Sequence, residues 1–120
     1  MGSRAEIRLI FPGRVFSRRV GFRYEWMAFL IAYDITGSSP GEFAELDARE
    51  RVSAVHYGAA KWDRICQGKK VSFTHNDMTA ALNRAPMASN VLLANKMSET
   101  QLPEWYAKTL EEGDGDKKKA

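Results

Sequence analysis

The chain has 120 residues, 44% apolar and 28% charged, with a single cysteine and a formal net charge of +3. Those proportions belong to a globular chain with one core rather than to a disordered one. One cysteine excludes an intramolecular disulfide framework, and no run approaches the ~20 apolar residues of a membrane span, so a reducing, cytoplasmic setting is expected.

The charge is uneven. Residues 1–23 hold six arginines (Arg4, Arg8, Arg14, Arg18, Arg19 and Arg23) against Glu6, while the remainder carries 12 basic and 14 acidic residues. Arg4, Glu6 and Arg8 also break up any apolar run near the start, which argues against a secretion signal. Glu6-Ile7-Arg8-Leu9 alternates with the period of a half-buried strand. Pro12-Gly13 supplies the two residues a tight turn favours at its centre. With Val15, Phe16, Val20 and Phe22 beyond the turn, residues 5–23 read as a β-hairpin that needs a cover for its apolar face.

Residues 24–36 form a helix with Trp26, Met27, Leu30, Ile31 and Asp34 on one face and Phe29 and Tyr33 beside them. Apolar over so much of its circumference, it reads as the central helix, stopped by a left-handed cap at Gly37. After the loop Ser38-Ser39-Pro40-Gly41, a turn at 42–46 drops Phe43 and Leu46 onto the core. Asp47 and Glu50 suggest a capping box opening a helix whose seam is Ala48, Val52, Val55, Ala59, Trp62 and Cys66, closing at Gly68. Thr74 with Asp77 opens the next helix, with Met78, Ala81, Leu82 and Ala85 inside and Pro86 at its end. A weaker pattern with Val91, Leu92 and Met97 covers 87–99, and Pro103 opens a last helix carrying Trp105, Tyr106 and Leu110. The expected architecture is mainly α with an N-terminal hairpin: an α+β domain over 5–112 with a bundle of four to five helices, and a disordered polar tail at 113–120.

Parts for catalysis are hard to assemble. His56 and His75, the two histidines, read as a partly buried ring with a satisfied nitrogen and a solvent-facing first-turn residue. Without paired histidine or cysteine spacing no zinc ligand set exists. Cys66 lies ten residues from His56 on one helix, about 15 Å of rise and beyond hydrogen-bond reach, so it reads as a small core residue. Glu42 with Glu45 and Asp47 with Glu50 are explained by capping and solvation. Gly113-Asp-Gly-Asp lacks the closing glutamate of a calcium loop, and phosphate-binding glycine loops are missing. No enzyme activity, metal or cofactor is expected.

The run Phe29-Leu-Ile-Ala-Tyr-Asp-Ile-Thr-Gly37, the segment Ser38-Ser-Pro-Gly-Glu-Phe-Ala-Glu-Leu46, the step Ala54-Val-His-Tyr-Gly-Ala-Ala60 and the entry Val71-Ser-Phe-Thr-His-Asn-Asp-Met78 follow one another in a suggestive order. Together they resemble the tail assembly chaperones of long-tailed bacteriophages, over roughly residues 24–85. The resemblance implies a non-enzymatic chaperone of the host cytoplasm. It would bind and solubilise the tape measure protein and help recruit tail tube subunits. Protein-binding candidates are Trp26, Phe29, Tyr33, Trp62, Met78, Met97, Trp105 and Tyr106, since aromatic and methionine side chains suit a helical ligand.

Two other readings use the hairpin. Its basic surface (Arg8, Arg14, Arg18, Arg19 and Arg23), interleaved with Phe16, Phe22 and Tyr24, suits a small nucleic-acid-associated or regulatory protein. Alternatively, a structural tail or connector component would add the hairpin strands to a neighbour's sheet edge. A homo-oligomer is compatible with each.

Overall fold

The computed structural model describes residues 3–100. Strand β1 (Ser3–Leu9) pairs antiparallel with β2 (Arg18–Tyr24), with Ala5 opposite Phe22, Ile7 opposite Val20 and Leu9 opposite Arg18. Ala5, Ile7, Leu9, Val20, Phe22 and Tyr24 are buried. Arg4, Glu6, Arg8, Arg19, Gly21 and Arg23 alternate with them on the other face, as a period of two requires. The Pro12-Gly13 turn forms as expected: the Arg14 N–H donates to the Phe11 carbonyl at 3.1 Å, and Gly13 takes φ 76°. The second strand begins later than Val15 and Phe16 suggest. Both lie in the connecting loop, 82% and 87% exposed. The Phe11–Arg14 turn is two residues out of step with the ladder, in which position 11 would face position 16, so the chain leaves the sheet and rejoins it only at Arg18.

Five helices follow among the described residues. Helix α1 (Trp26–Thr36) ends at Gly37, which takes φ 64° and donates its N–H to the Asp34 carbonyl. Short α2 (Pro40–Ala44) opens on a reciprocal capping box between Ser39 and Glu42. Asp47 caps α3 (Ala48–Cys66) by accepting from the Arg49 N–H, without the expected partnership with Glu50. Thr74 and Asp77 form the expected box opening α4 (His75–Arg84), whose Met78, Ala81 and Leu82 are buried. Helix α5 (Met87–Ser98) packs against β1 through Leu93. The architecture is thus mostly helical α+β with an N-terminal antiparallel hairpin. The expected helix beginning at Pro103 and the polar tail lie outside the described residues.

The central helix is α3, not α1. Every residue from Ala54 to Ala60 is buried, whereas α1 buries Ala28 and Ala32 and leaves its large side chains partly exposed. Gly58 explains the inversion: a Cβ there would collide with the Ala28 carbonyl oxygen. The two backbones meet through their small residues, so α1 must turn its bulk sideways. The ends of the expected α3 seam lie open, with Val52 38% exposed and Cys66 exposed at the C-terminal turn rather than packed in the core. On α5 the apolar pattern also misleads: Val91 and Leu92 face out and Leu93 faces in.

Candidate functional site

Tight packing of α1 on α3 leaves an apolar cleft where α1, α2, the start of α3 and the end of α5 converge. Its volume is about 380 Å³, and its lining includes Phe29, Tyr33, Pro40, Phe43, Val52, Val55 and Met97. Local chemistry sets the walls. The Gly37 cap and the Ser39–Glu42 box turn the chain back on itself, bringing Phe43 edge-on to Tyr33 with ring centroids 4.9 Å apart. Arg51 on α3 donates from Nη1 to the Ala44 carbonyl at 3.1 Å, tying α2 to α3, and is the one charged residue in the described lining.

Phe29, Tyr33 and Met97, three of the eight expected protein-binding residues, share this cleft. Trp26 and Trp62 are half-buried elsewhere, with the Trp62 indole donating from Nε1 to Glu25 Oε2 at 2.8 Å. Met78 is fully buried on the inner side of α4 and has no surface to offer a partner. Trp105 and Tyr106 lie outside the described residues. Phe43 and Val55 are buried in the core as expected and also line the cleft, whereas Val52, expected in the same seam, is 38% exposed. The Ser-x-x-Glu spacing at Ser39 was the signal that residue 43 sits on a helix facing Tyr33.

Half of the hairpin's six arginines are neutralised from within. Arg4 grips Asp63 with two bonds, Nε to Oδ1 at 2.8 Å and Nη2 to Oδ2 at 3.1 Å. Arg23 adds Nε to Oδ1 at 3.3 Å, and Gln67 donates to Oδ2 at 2.8 Å. Asp63 is only 1% exposed, so its charge is compensated wholly by these groups. The bonds to Asp63 hold the Arg4 guanidinium still more firmly protonated. Gly21 makes room for the cluster, since a Cβ there would strike the Asp63 carboxylate and the Arg4 guanidinium. Arg19 lies 3.6 Å from Glu6. Of the expected basic surface, Arg19 and Arg23 are therefore paired. Arg8 and Arg14 are exposed and make no ion pair among the described residues. Arg18 stacks over the Phe11 and Phe73 rings, at 5.3 and 5.8 Å from their centroids, and donates to Ser72 Oγ at 2.9 Å. Phe22 and Tyr24, which a nucleic-acid reading would need as stacking surfaces, are sealed in the core.

Both histidines have structural partners. His56 is 4% exposed as expected, with Nδ1 2.7 Å from the Tyr24 hydroxyl. Burial pushes its pKa down to about 4 and the Tyr24 phenol upward, so at neutral pH the phenol donates to a neutral ring. His75 is half-buried rather than solvent-facing. Its Nε2 lies 2.9 Å from Ser53 Oγ, itself 2.5 Å from Thr79 Oγ1, which donates to the His75 carbonyl at 3.0 Å. A nucleophile and base also meet at such distances. Proton counting favours another use here. All three contacts are satisfied when His75 Nε2–H donates to Ser53, Ser53 to Thr79, and Thr79 to the carbonyl, which makes His75 a donor in a clasp joining α3 to α4.

Among the described residues no group of three or more His, Cys, Asp or Glu is placed to hold a metal, and no helix is long and apolar enough to cross a membrane. Set against known proteins, the chain matches no family model, no curated protein and no solved structure. What the fold and its geometry define is a class: a small helical α+β protein with an open apolar cleft among its described residues.

Proposed function

We propose that this protein binds another polypeptide without chemistry of its own, taking one apolar face of an amphipathic helix into the cleft between α1, α2, α3 and α5. The observation that carries this reading is the convergence of Phe29, Tyr33 and Met97, from two helices far apart in the chain, on one open apolar space. About 380 Å³ is too small for a helix, which is about 10 Å across, but accepts side chains projecting from it at i, i+3 and i+4. Met97 supplies an adaptable wall suited to more than one apolar side chain. Arg51 in the lining favours a ligand with an acidic residue beside its apolar stripe.

The partner we propose is the tape measure protein of a long-tailed phage, held soluble in the host cytoplasm while tail tube subunits gather around it. That step rests on the resemblance of residues 24–85 to tail assembly chaperones. Its chemistry fits the cleft, because a tape measure is a long helical chain whose apolar stripes need cover before assembly. Co-expression with the tape measure protein tests it. The expected result is a marked rise in soluble tape measure and its co-purification, both lost in Val52→Asp. Equal solubility with and without the chaperone would overturn the assignment, and so would stable incorporation into finished virions. A concentration-dependent dimer that Val52→Asp dissolves would instead make a second copy of this chain the occupant.

A further inference from the structure

We infer that the end of the molecule formed by the 10–17 loop and the link between α3 and α4 binds single-stranded nucleic acid, with Phe16 as a stacking platform and the surrounding cations as phosphate contacts. This goes beyond the proposed chaperone role and uses a surface separate from the cleft.

Phe16 is the most exposed large apolar residue in the described structure, at 87%, with Val15 beside it at 82%. They border a concave space of about 630 Å³ whose far wall is Ser72 and Phe73. An aromatic ring held in solvent at the mouth of a concavity is costly in isolation and suited to a planar ligand.

The charge around it is mostly positive. Arg14 lies in the loop, and Arg18 opens β2 just beyond it. The Arg64 guanidinium donates from Nε to the Lys70 carbonyl at 3.0 Å, which holds the link carrying exposed Lys69 and Lys70 against the end of α3. Partial burial weakens the hold of Arg18 on its proton, and the nearby Arg64 and Arg14 charges add to the effect. Asp77 is the one acid in the described lining, and it is engaged by the Thr74 N–H at 3.0 Å. This gathering of cations contrasts with the Asp63 cluster, where each arginine meets a carboxylate. A polyanion supplies what the chain withholds here. Arg18 is already ordered over Phe11 and Phe73, so less freedom is lost when a phosphate arrives.

Shape selects among polyanions. Bases inside a duplex do not offer their faces to a ring, whereas unpaired bases do. A bilayer is flat and would leave the concavity unfilled.

Fluorescence anisotropy with labelled oligo-dT and oligo-U of about 15 nucleotides is the test. Three to five phosphate contacts predict a loss of roughly 20- to 100-fold in affinity between about 50 and 200 mM salt. Phe16→Ala is expected to weaken binding roughly tenfold with the salt slope unchanged, as removal of one base stack does. Combined Arg14→Ala, Lys69→Ala and Lys70→Ala should flatten the slope. These side chains are exposed, so circular dichroism melts of the variants should match the parent. Val52→Asp should bind the oligonucleotides normally, which separates this site from the cleft. Absence of binding, equal affinity for a duplex of the same length, or indifference to Phe16→Ala would overturn the proposal. Sedimentation with phosphatidylserine vesicles in place of oligonucleotide binding would overturn it in favour of a membrane surface.

Discussion

Two positions on α3, about three turns apart, reverse the usual rule of burial. Val52 is apolar and 38% exposed, while Asp63 is charged and 1% exposed. The half of the helix around Asp63 is closed by partners within the chain: two arginines, a glutamine, a glycine that makes room, and the Ala28 backbone against Gly58. The half around Val52 borders a cleft in which apolar side chains line a space that no described residue fills. A buried charge with every bond satisfied is a structural statement, and an open apolar wall is an offer to something else. The contrast predicts large stability effects at one end of α3 and binding effects without stability effects at the other.

The largest effect is expected from removing both arginines over Asp63. In Arg4→Ala combined with Arg23→Ala, the carboxylate keeps only Gln67, and an uncompensated buried charge costs about 3–5 kcal/mol. Asp63→Asn should cost less, since the Arg4 and Arg23 side chains are 37% and 31% exposed and regain water when the acid is lost. Urea denaturation of the three proteins checks the order. If the two variants lose stability equally, Asp63 is not the sealed charge described.

Next in size is a pH effect at His56. Its folded pKa of about 4 lies below the ordinary histidine value of 6.5, so the unfolded chain takes up the proton first as pH falls. Stability is unaffected above pH 6.5 and declines between 6.5 and about 4, by about 3 kcal/mol in all. Carboxylates titrate in the lower part of that window, so the relevant quantity is the difference from His56→Gln, which keeps an acceptor for the Tyr24 hydroxyl. Parallel curves for the two proteins would remove the histidine from the account. Gly58→Ala follows, at about 2 kcal/mol, because its methyl group meets the Ala28 carbonyl oxygen and helices α1 and α3 must separate.

These sites differ in how far the sequence announced them. Short-range chemistry was legible: the Pro12-Gly13 turn, the Gly37 cap and the Thr74–Asp77 box all depend on residues within a few positions of each other. Contacts between distant residues were not. Nothing in the sequence around Asp63 signals its burial, because the arginines that cover it are 59 and 40 residues away. The prominence of bulky side chains in α1 hid the alanines that touch α3, so the central helix was misassigned. Phe29, Tyr33 and Met97 could be named from their chemistry alone, but apolar character cannot separate a cleft wall from a core residue. Met78 shares that chemistry and is sealed.

At the open end of α3 the prediction is close to silence in stability. Val52→Asp places a carboxylate where the valine is already 38% exposed, so the side chain can reach water and the cost should stay within about 0.5 kcal/mol. Arg51, adjacent in sequence and part of the same lining, supplies a nearby positive charge. For a helical ligand the same change is severe, because docking must desolvate the new charge against an apolar stripe. Isothermal titration with an amphipathic helical segment of the proposed partner should show at least tenfold weaker binding, the equivalent of about 1.4 kcal/mol, while the urea midpoint stays where it was. A large drop in stability with unchanged binding would mean that Val52 supports the fold after all. In that case the two halves of α3 would be alike, and the cleft would be a surface irregularity rather than a site.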